Sequence, residues 1–375
     1  MKGKILFCIA VATIFIMPAA VKSSNESKAD FTHTVFVEYT TATWCPYCKY
    51  AHAALRNIYG EYPFYFVTHV IDKNKNAYSR AVEDYNIYYI PTVFFDGGYD
   101  VIVGADAVGT EEIYSESIIE CGERIVADID INISAMWMSN ATMRINVEVY
   151  NNEVLDYEGY LRIYVVEKES SMGWHDTGDV PYAFAFLDYA FNELIVVDGK
   201  GTFKEEIIWN GNEHSNGYGV TFGQITPDNT MIIAVIFNSE KHQGYAVPPD
   251  EAPFDAYYVD DAAATIPSID TMPPELSVDC PEEGYLHIFG KKILPTGITI
   301  IIGDITIKAS AIDMETGVSS VKFYVDDELQ SIVSSPPYEW RWSEAAFLQH
   351  TLKIVAEDMA ENNAEKTINV LVFKI

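Results

Sequence analysis

The chain has 375 residues, more than one compact domain holds and enough for two or three. Hydrophobic residues at 49% against 21% charged exclude a mainly disordered protein, and 13% aromatics, with 25 Tyr, favour sheets. With 24 Lys and Arg against 55 Asp and Glu, the formal net charge of −31 repels phosphate and argues against nucleic acid or an anionic membrane as partner.

The chain opens with Lys2 and Lys4, an apolar run from Ile5 to Met17, and Pro18-Ala19-Ala20 before a polar stretch. Basic start, apolar run and small residues read as a secretory signal over residues 1–23. A membrane helix needs about 20 apolar residues, so an uncleaved anchor is the lesser alternative. The protein is therefore expected to be secreted or extracytoplasmic, in an oxidising compartment, with the cell surface as one destination.

Residues 31–125 alternate strand and helix patterns. Thr34–Thr40 reads as a strand, Cys45–Tyr59 as a helix, Phe64–Val70 as a strand and Ala77–Tyr85 as a helix. Thr92–Phe95 and Tyr99–Val103 flank Asp96-Gly97-Gly98, a hairpin signal. A helix follows Gly109, with Cys121 on its apolar stripe. Residues 126–262 read as a β-sandwich with strands at Ile129–Met138, Met143–Tyr150, Tyr160–Glu167, Thr202–Trp209 and Met231–Asn238. Pro267, Pro273 and Pro274 mark a linker over 263–274. Residues 275–375 place short strands at intervals of about 10 residues, the spacing of an immunoglobulin-like sandwich. The fold class is thus multidomain: an α/β domain, a β-sandwich domain and an Ig-like β-sandwich domain.

The chemistry concentrates at Trp44-Cys45-Pro46-Tyr47-Cys48, between the first strand and the first helix. Two thiols three positions apart close a small disulfide ring. At a helix N-terminus, free N–H groups and the macrodipole favour a thiolate on Cys45. Cys45 should then be the more exposed, attacking sulfur, and Cys48, one turn inside, should resolve the mixed disulfide. Half of a zinc site is the alternative, with His52 as a third ligand. No second Cys or His pair stands at zinc spacing, so His52 reads better as a surface or packing residue.

Ile90-Pro91-Thr92 lies directly before a strand, and Pro91 follows Cys48 by 43 residues. With WCxxC after the first core strand, this resembles the thioredoxin superfamily. The stretch from Val37 to Cys48, Val-Glu-Tyr-Thr-Thr-Ala-Thr-Trp-Cys-Pro-Tyr-Cys, is most similar to the Omp28-related exported thioredoxin-like proteins. The resemblance implies a cis-proline at Pro91 facing the dithiol, with Ile90 leaving its backbone free for substrate and Trp44 beside it. A trans Pro91 that merely starts a strand is the alternative. It further implies that a buried carboxylate, here Glu38, takes the proton of Cys48; an edge or solvent-facing Glu38 is the other reading. Residues 275–375 resemble bacterial and archaeal Ig-like surface modules, through Gly317–Asp326, Pro336–Trp340 and Ala356–Asn362.

Weaker signals remain. Cys121 reads as a buried thiol, with a bridge to Cys280 as the alternative. Asn140, at a hairpin tip, is the best of three glycosylation triplets. Trp174-His175-Asp176 reads as a loop. Asp313 and Glu315 lie beside a turn, but no oxygen-ligand loop at EF-hand spacing accompanies them, so no metal and no cofactor is expected.

The leading expectation is an exported thiol–disulfide oxidoreductase acting on protein or peptide disulfides. Cys45, Cys48 and Glu38 would carry the chemistry, and Trp44, Ile90 and Pro91 would contact substrate. The second is a cell-surface binding or adhesion protein, with the β domains meeting a partner and CPYC as a structural staple. Exposure of the Cys45 sulfur at a groove favours the first, burial the second. Pro46-Tyr47 resembles the glutaredoxin dipeptide but leaves the direction of exchange open.

Overall fold

The computed structural model describes residues 30–374. Residues 1–23, expected to be a secretory signal, lie outside the described residues. The first region runs β1 (Val35–Thr41), α1 (Cys48–Ile58), β2 (Phe64–Val70), α2 (Lys75–Ser79), a π-helical turn (Arg80–Asp84), β3 (Thr92–Phe95), β4 (Asp100–Val103) and α3 (Thr110–Gly122). β1 is buried along its whole length, as a central strand covered on both faces must be. It pairs in parallel with β2 and antiparallel with β3.

The second region supplies β5 (Ile129–Ser139), β6 (Thr142–Asn151), β7 (Tyr157–Glu169), β8 (Ala183–Val197), β9 (Thr202–Asn210), β10 (Thr230–Val247), β11 (Glu251–Thr265) and β12 (Ser268–Ile269). Three of these strands, β8, β11 and the two-residue β12, are not marked by the strand patterns. The division expected at residue 125 is not a division between sheets. One eight-stranded sheet runs β11-β10-β7-β8-β2-β1-β3-β4. The outer edge of β2 would leave backbone groups unpaired, and β8 covers it through Thr68 and Ala185. β5, β6, β9 and β12 form a second sheet whose Ile133, Ile145 and Val147 join one core with Val165, Ile233, Phe36 and Leu55. Full burial of a side chain such as Phe36 contributes about 2–3 kcal/mol.

The hairpin at Asp96-Gly97-Gly98 meets β11 at close range. Gly97 has φ +71°, and a Cβ there would stand 1.9 Å from the Tyr257 carbonyl oxygen. The linker is shorter than its prolines suggest. β11 extends to Thr265, pairing Ala263–Thr265 with β10, and Ser268–Ile269 pairs with β5.

The last region holds β13 (Glu275–Cys280), β14 (Tyr285–Ile288), β15 (Lys291–Pro295), β16 (Thr299–Ile302), β17 (Ile305–Ile312), β18 (Val318–Val325), β19 (Glu328–Val333), β20 (Tyr338–Trp342), β21 (Ala346–Asp358) and β22 (Asn363–Lys374). A three-stranded sheet, β13-β17-β20, and a seven-stranded sheet, β15-β14-β16-β22-β21-β18-β19, enclose their own core around Ile307, Phe323, Trp342, Ile354 and Val370. The molecule is multidomain and mostly β, with a mixed α/β sheet at its N-terminal end.

Candidate functional site

β1 delivers the chain to the turn Ala42–Tyr47. There the Cys45 N–H donates to the Ala42 carbonyl at 3.0 Å, and Asp72 accepts from the Thr43 N–H at 3.0 Å and its hydroxyl at 2.6 Å. Cys45 and Cys48 form a disulfide with Cα atoms 5.4 Å apart. The helix does not begin at Cys45 as expected. It begins at Cys48, Tyr47 occupies the cap position without a side-chain bond, and Pro46 has no N–H to give. The Cys48 N–H instead donates to Cys45 Sγ at 3.2 Å, so the sulfur takes the place of a capping oxygen. A thiolate at that position meets the positive end of α1.

The expected exposure of Cys45 is not found. Cys45 is 2% exposed and Cys48 0%, whereas the flanking Trp44 and Tyr47 are 67% and 59% exposed. The cover comes from two sides. On one, the Ile90–Pro91 bond is cis and the Ile90 carbonyl oxygen lies 3.8 Å from Cys45 Sγ. A groove of about 350 Å³ opens beyond it, lined by Tyr47, Ile90, Pro91, Val103, Ile113 and Tyr114. On the other side is the connection between β7 and β8. Its Thr177 hydroxyl donates to the Cys45 carbonyl at 3.4 Å, and its Tyr182 hydroxyl donates to the Ala42 carbonyl at 3.2 Å. Trp44, Ile90 and Pro91 are thus brought to the dithiol.

Glu38 is not. Side chains alternate along a strand, and it is the next residue, Tyr39, that faces the dithiol, donating its hydroxyl to the Cys48 carbonyl at 2.7 Å. Glu38 lies on the opposite face. It is fully buried, but neither at an edge nor under the thiols. Arg80 donates to both its oxygens, at 2.9 and 2.7 Å, and His69 and Tyr164 reach Oε1 at 3.0 and 3.2 Å. Tyr85 bonds Oε2 as well. Burial pushes the Glu38 carboxyl up. The Arg80 charge with its hydrogen bonds, and then His69, outweigh that and hold it well below the usual range. Such a group stays ionised and paired, which does not suit it to relay a thiol's proton.

His52 is buried on α1, one turn after Cys48. The Ala183 N–H donates to Nε2 at 3.0 Å, so the ring's proton is on Nδ1, which donates to Asp176 at 2.8 Å. Burial lowers its pKa, against the pull of Asp176. Both nitrogens are engaged, which leaves none for a metal. Asp176 is the informative member of Trp174-His175-Asp176; His175 is half exposed and faces Asp179. Tyr39, His52, Asp176, Thr177 and Tyr182 all shape the site. Among them the sequence singled out only His52 and Asp176, and without their pairing.

Among the described residues Cys121 and Cys280 are both free, so no bridge joins them, and burial raises both thiols. Asn140 is exposed at the β5–β6 turn. Asp313 lies with Asp270 and Asp358, not with Glu315, their oxygens within 4.8 Å of one another. Backbone or hydroxyl groups donate to each of the three.

Residues 294–368 match the bacterial Ig domain family, so the C-terminal sandwich is a bacterial Ig domain. No curated protein matches the chain. Among solved structures, HBP35 of Porphyromonas gingivalis is 12% identical, covering 92% of this chain and 100% of its own, with a TM-score of 0.45. The fibronectin(III)-like modules of Clostridium thermocellum CbhA are 31% identical over 27% of this chain and 96% of theirs, with a TM-score of 0.21. Protein AGR_C_4864 of Agrobacterium tumefaciens is 12% identical over 63% of this chain and 95% of its own, at 0.33.

Proposed function

We propose that this chain is an exported thiol–disulfide oxidoreductase of the thioredoxin-like kind, acting on polypeptide disulfides. The observation that carries it is the Cys45–Cys48 disulfide at the start of α1, with the Cys48 N–H aimed at Cys45 Sγ beside the Ile90–Pro91 wall. In the reducing direction the Cys45 thiolate attacks a substrate disulfide. One S–S bond forms to Cys45, and one substrate thiolate leaves. The Cys48 thiolate then attacks Cys45 Sγ, closes the internal disulfide and releases the second substrate thiolate. Two electrons pass to the substrate, and solvent supplies its protons. The reverse sequence oxidises a substrate dithiol. Trp44, Ile90 and Pro91 contact the substrate. Glu38 holds the sheet together and takes no part. The exchange needs no cofactor beyond the dithiol. The apolar run after Lys4 and the bacterial Ig domain support an extracytoplasmic location, where the β regions would meet a surface partner.

A second reading is a binding protein in which CPYC is a structural staple, and the 2% exposure of Cys45 favours it. The reduction potential of the couple, with insulin reduction as the activity assay, separates the two. A potential between about −120 and −270 mV with turnover supports exchange. One below about −300 mV without turnover supports the staple.

A further inference from the structure

The segment Trp174–Tyr182, between β7 and β8, lies along the dithiol turn and the first turns of α1. Tyr182 bonds the Thr41 hydroxyl at 2.9 Å and donates to the Ala42 carbonyl, Thr177 donates to the Cys45 carbonyl, and Asp176 accepts from His52. Each polar attachment is a side-chain hydrogen bond, and the Tyr182 ring also packs on His52 and Tyr39, centroids 5.0 and 6.5 Å apart. The segment's two ends are fixed: Trp174 and Tyr182 are buried in the core, the Tyr182 N–H donates to the Trp174 carbonyl, and the Tyr182 carbonyl accepts from the Ser170 N–H. Between them the backbone bonds of His175–Pro181 are internal, the Asp176 N–H to the Val180 carbonyl and the Asp179 N–H to the Asp176 carbonyl. The Asp176 carboxylate also accepts from the Gly178 and Val180 N–H groups at 2.7 and 3.2 Å, which makes the tip a unit. The opposite wall is different. Pro91 leads directly into β3, which pairs with β1 through the backbone from Thr92 to Phe95.

A sulfur attacked in an exchange must be approached along the S–S axis by a third sulfur, with its own chain attached. A residue 2% exposed does not admit that approach, so one wall has to yield. Moving the Ile90–Pro91 wall means breaking a backbone ladder. Moving only His175–Pro181 leaves both anchors in the core and breaks the Thr177 bond to Cys45 and the Asp176 bond to His52, at about 0.5–3 kcal/mol each. Local opening of a segment with so few ties lies at the low end of a protein's stability range.

We propose that His175–Pro181, anchored by Trp174 and Tyr182, is a strap beside the Cys45–Cys48 pair, latched by Asp176 to His52 and by Thr177 to the Cys45 carbonyl, and that it must swing aside before a polypeptide disulfide reaches Cys45. This rests on the exchange reading of the site. It gives the second region a task in the reaction: β7 and β8 carry the strap as well as extending the sheet.

The test reads access, not turnover. Fully reduced wild type and the variants Asp176→Asn and Thr177→Val are alkylated with a bulky maleimide, and Cys45 labelling is followed by peptide mass mapping. Opened straps label Cys45 at least tenfold faster. Rates equal to wild type in variants that melt cooperatively overturn the proposal. If the variants do not fold, hydrogen exchange on the wild type decides. The Gly178 and Val180 amides exchange at least a hundredfold faster than those of β1 if the strap opens on its own. Exchange together with β1 overturns it. Wild type that labels as described yet exchanges no disulfide with any peptide refutes the redox reading and leaves the strap as a cover.

Discussion

Arg80 holds both carboxylate oxygens of Glu38, Nε to Oε1 at 2.9 Å and Nη2 to Oε2 at 2.7 Å, with both side chains buried. The guanidinium also lies over the Tyr85 ring at 4.1 Å and reaches Asp84 at 2.9 Å. Tyr164 on β7 adds a hydroxyl, so the cluster joins β1 to the sheet's second-region strands. Breaking a buried pair by removing one charge leaves the other uncompensated. Glu38→Gln is expected to lose about 3–5 kcal/mol in urea melts, while the exchange rate per folded molecule stays near wild type. A rate loss without a stability loss would return Glu38 to the thiol chemistry.

The neutral state of His52 makes stability depend on pH. Its folded pKa is lowered, by burial, below the unfolded value of about 6.5. Its contribution is therefore complete above that value and is lost as the pH falls from there through the folded pKa. Burial raises the Glu167, Asp260 and Asp261 carboxyls, and these act in the opposite sense. The clean readout is the difference between wild type and His52→Gln. That difference in unfolding free energy should shrink from pH 7.5 to 5.5; a constant or growing one contradicts the assignment.

Gly97→Ala should be among the costlier glycine changes. It combines a left-handed backbone with a Cβ 1.9 Å from the Tyr257 carbonyl oxygen. The expected loss is about 3 kcal/mol, strain plus the displacement of β11. Gly60→Ala, at φ +88° with nothing within 4 Å, carries only the backbone term, about 1 kcal/mol. Equal losses for the two in thermal melts would mean that the hairpin does not press on β11.

In the reduced protein, Cys45 should alkylate before Cys48 at mildly acidic pH. The N–H at the start of α1 stabilises its thiolate, and Cys48 lies deeper under Tyr39. Mass mapping after brief iodoacetamide treatment reads the order, and prior labelling of Cys48 reverses the roles.

A chain ending at Ile269 should keep its exchange rate on a small peptide disulfide. It retains β11 and β12, whereas a cut at Ala262 would strip Ala263–Thr265 from β10. The Ig domain has its own core and contributes no residue to the dithiol surroundings described above. A tenfold drop with folding intact, about 1.4 kcal/mol in barrier, would bring that domain into the site.

Whatever depends on short stretches of chain was legible in the residues. Strand alternation marked β1 to β7 and much of the Ig domain, CPYC lay at the end of a strand, and the glycines of the β3–β4 hairpin stood where the chain turns. These features follow from local periodicity and the steric needs of turns. What joins distant residues was not legible. Whether Glu38 faces the thiols or the Arg80 cluster is a question of strand face, settled by partners as far away as Tyr164, 126 positions along the chain. His52 meets Asp176 across 124 positions, and β8 joins β2 through Thr68 and Ala185. No local period records such pairings. They come from the need to cover the open edge of β2 and to give each buried polar group a partner, and only the packed chain meets both.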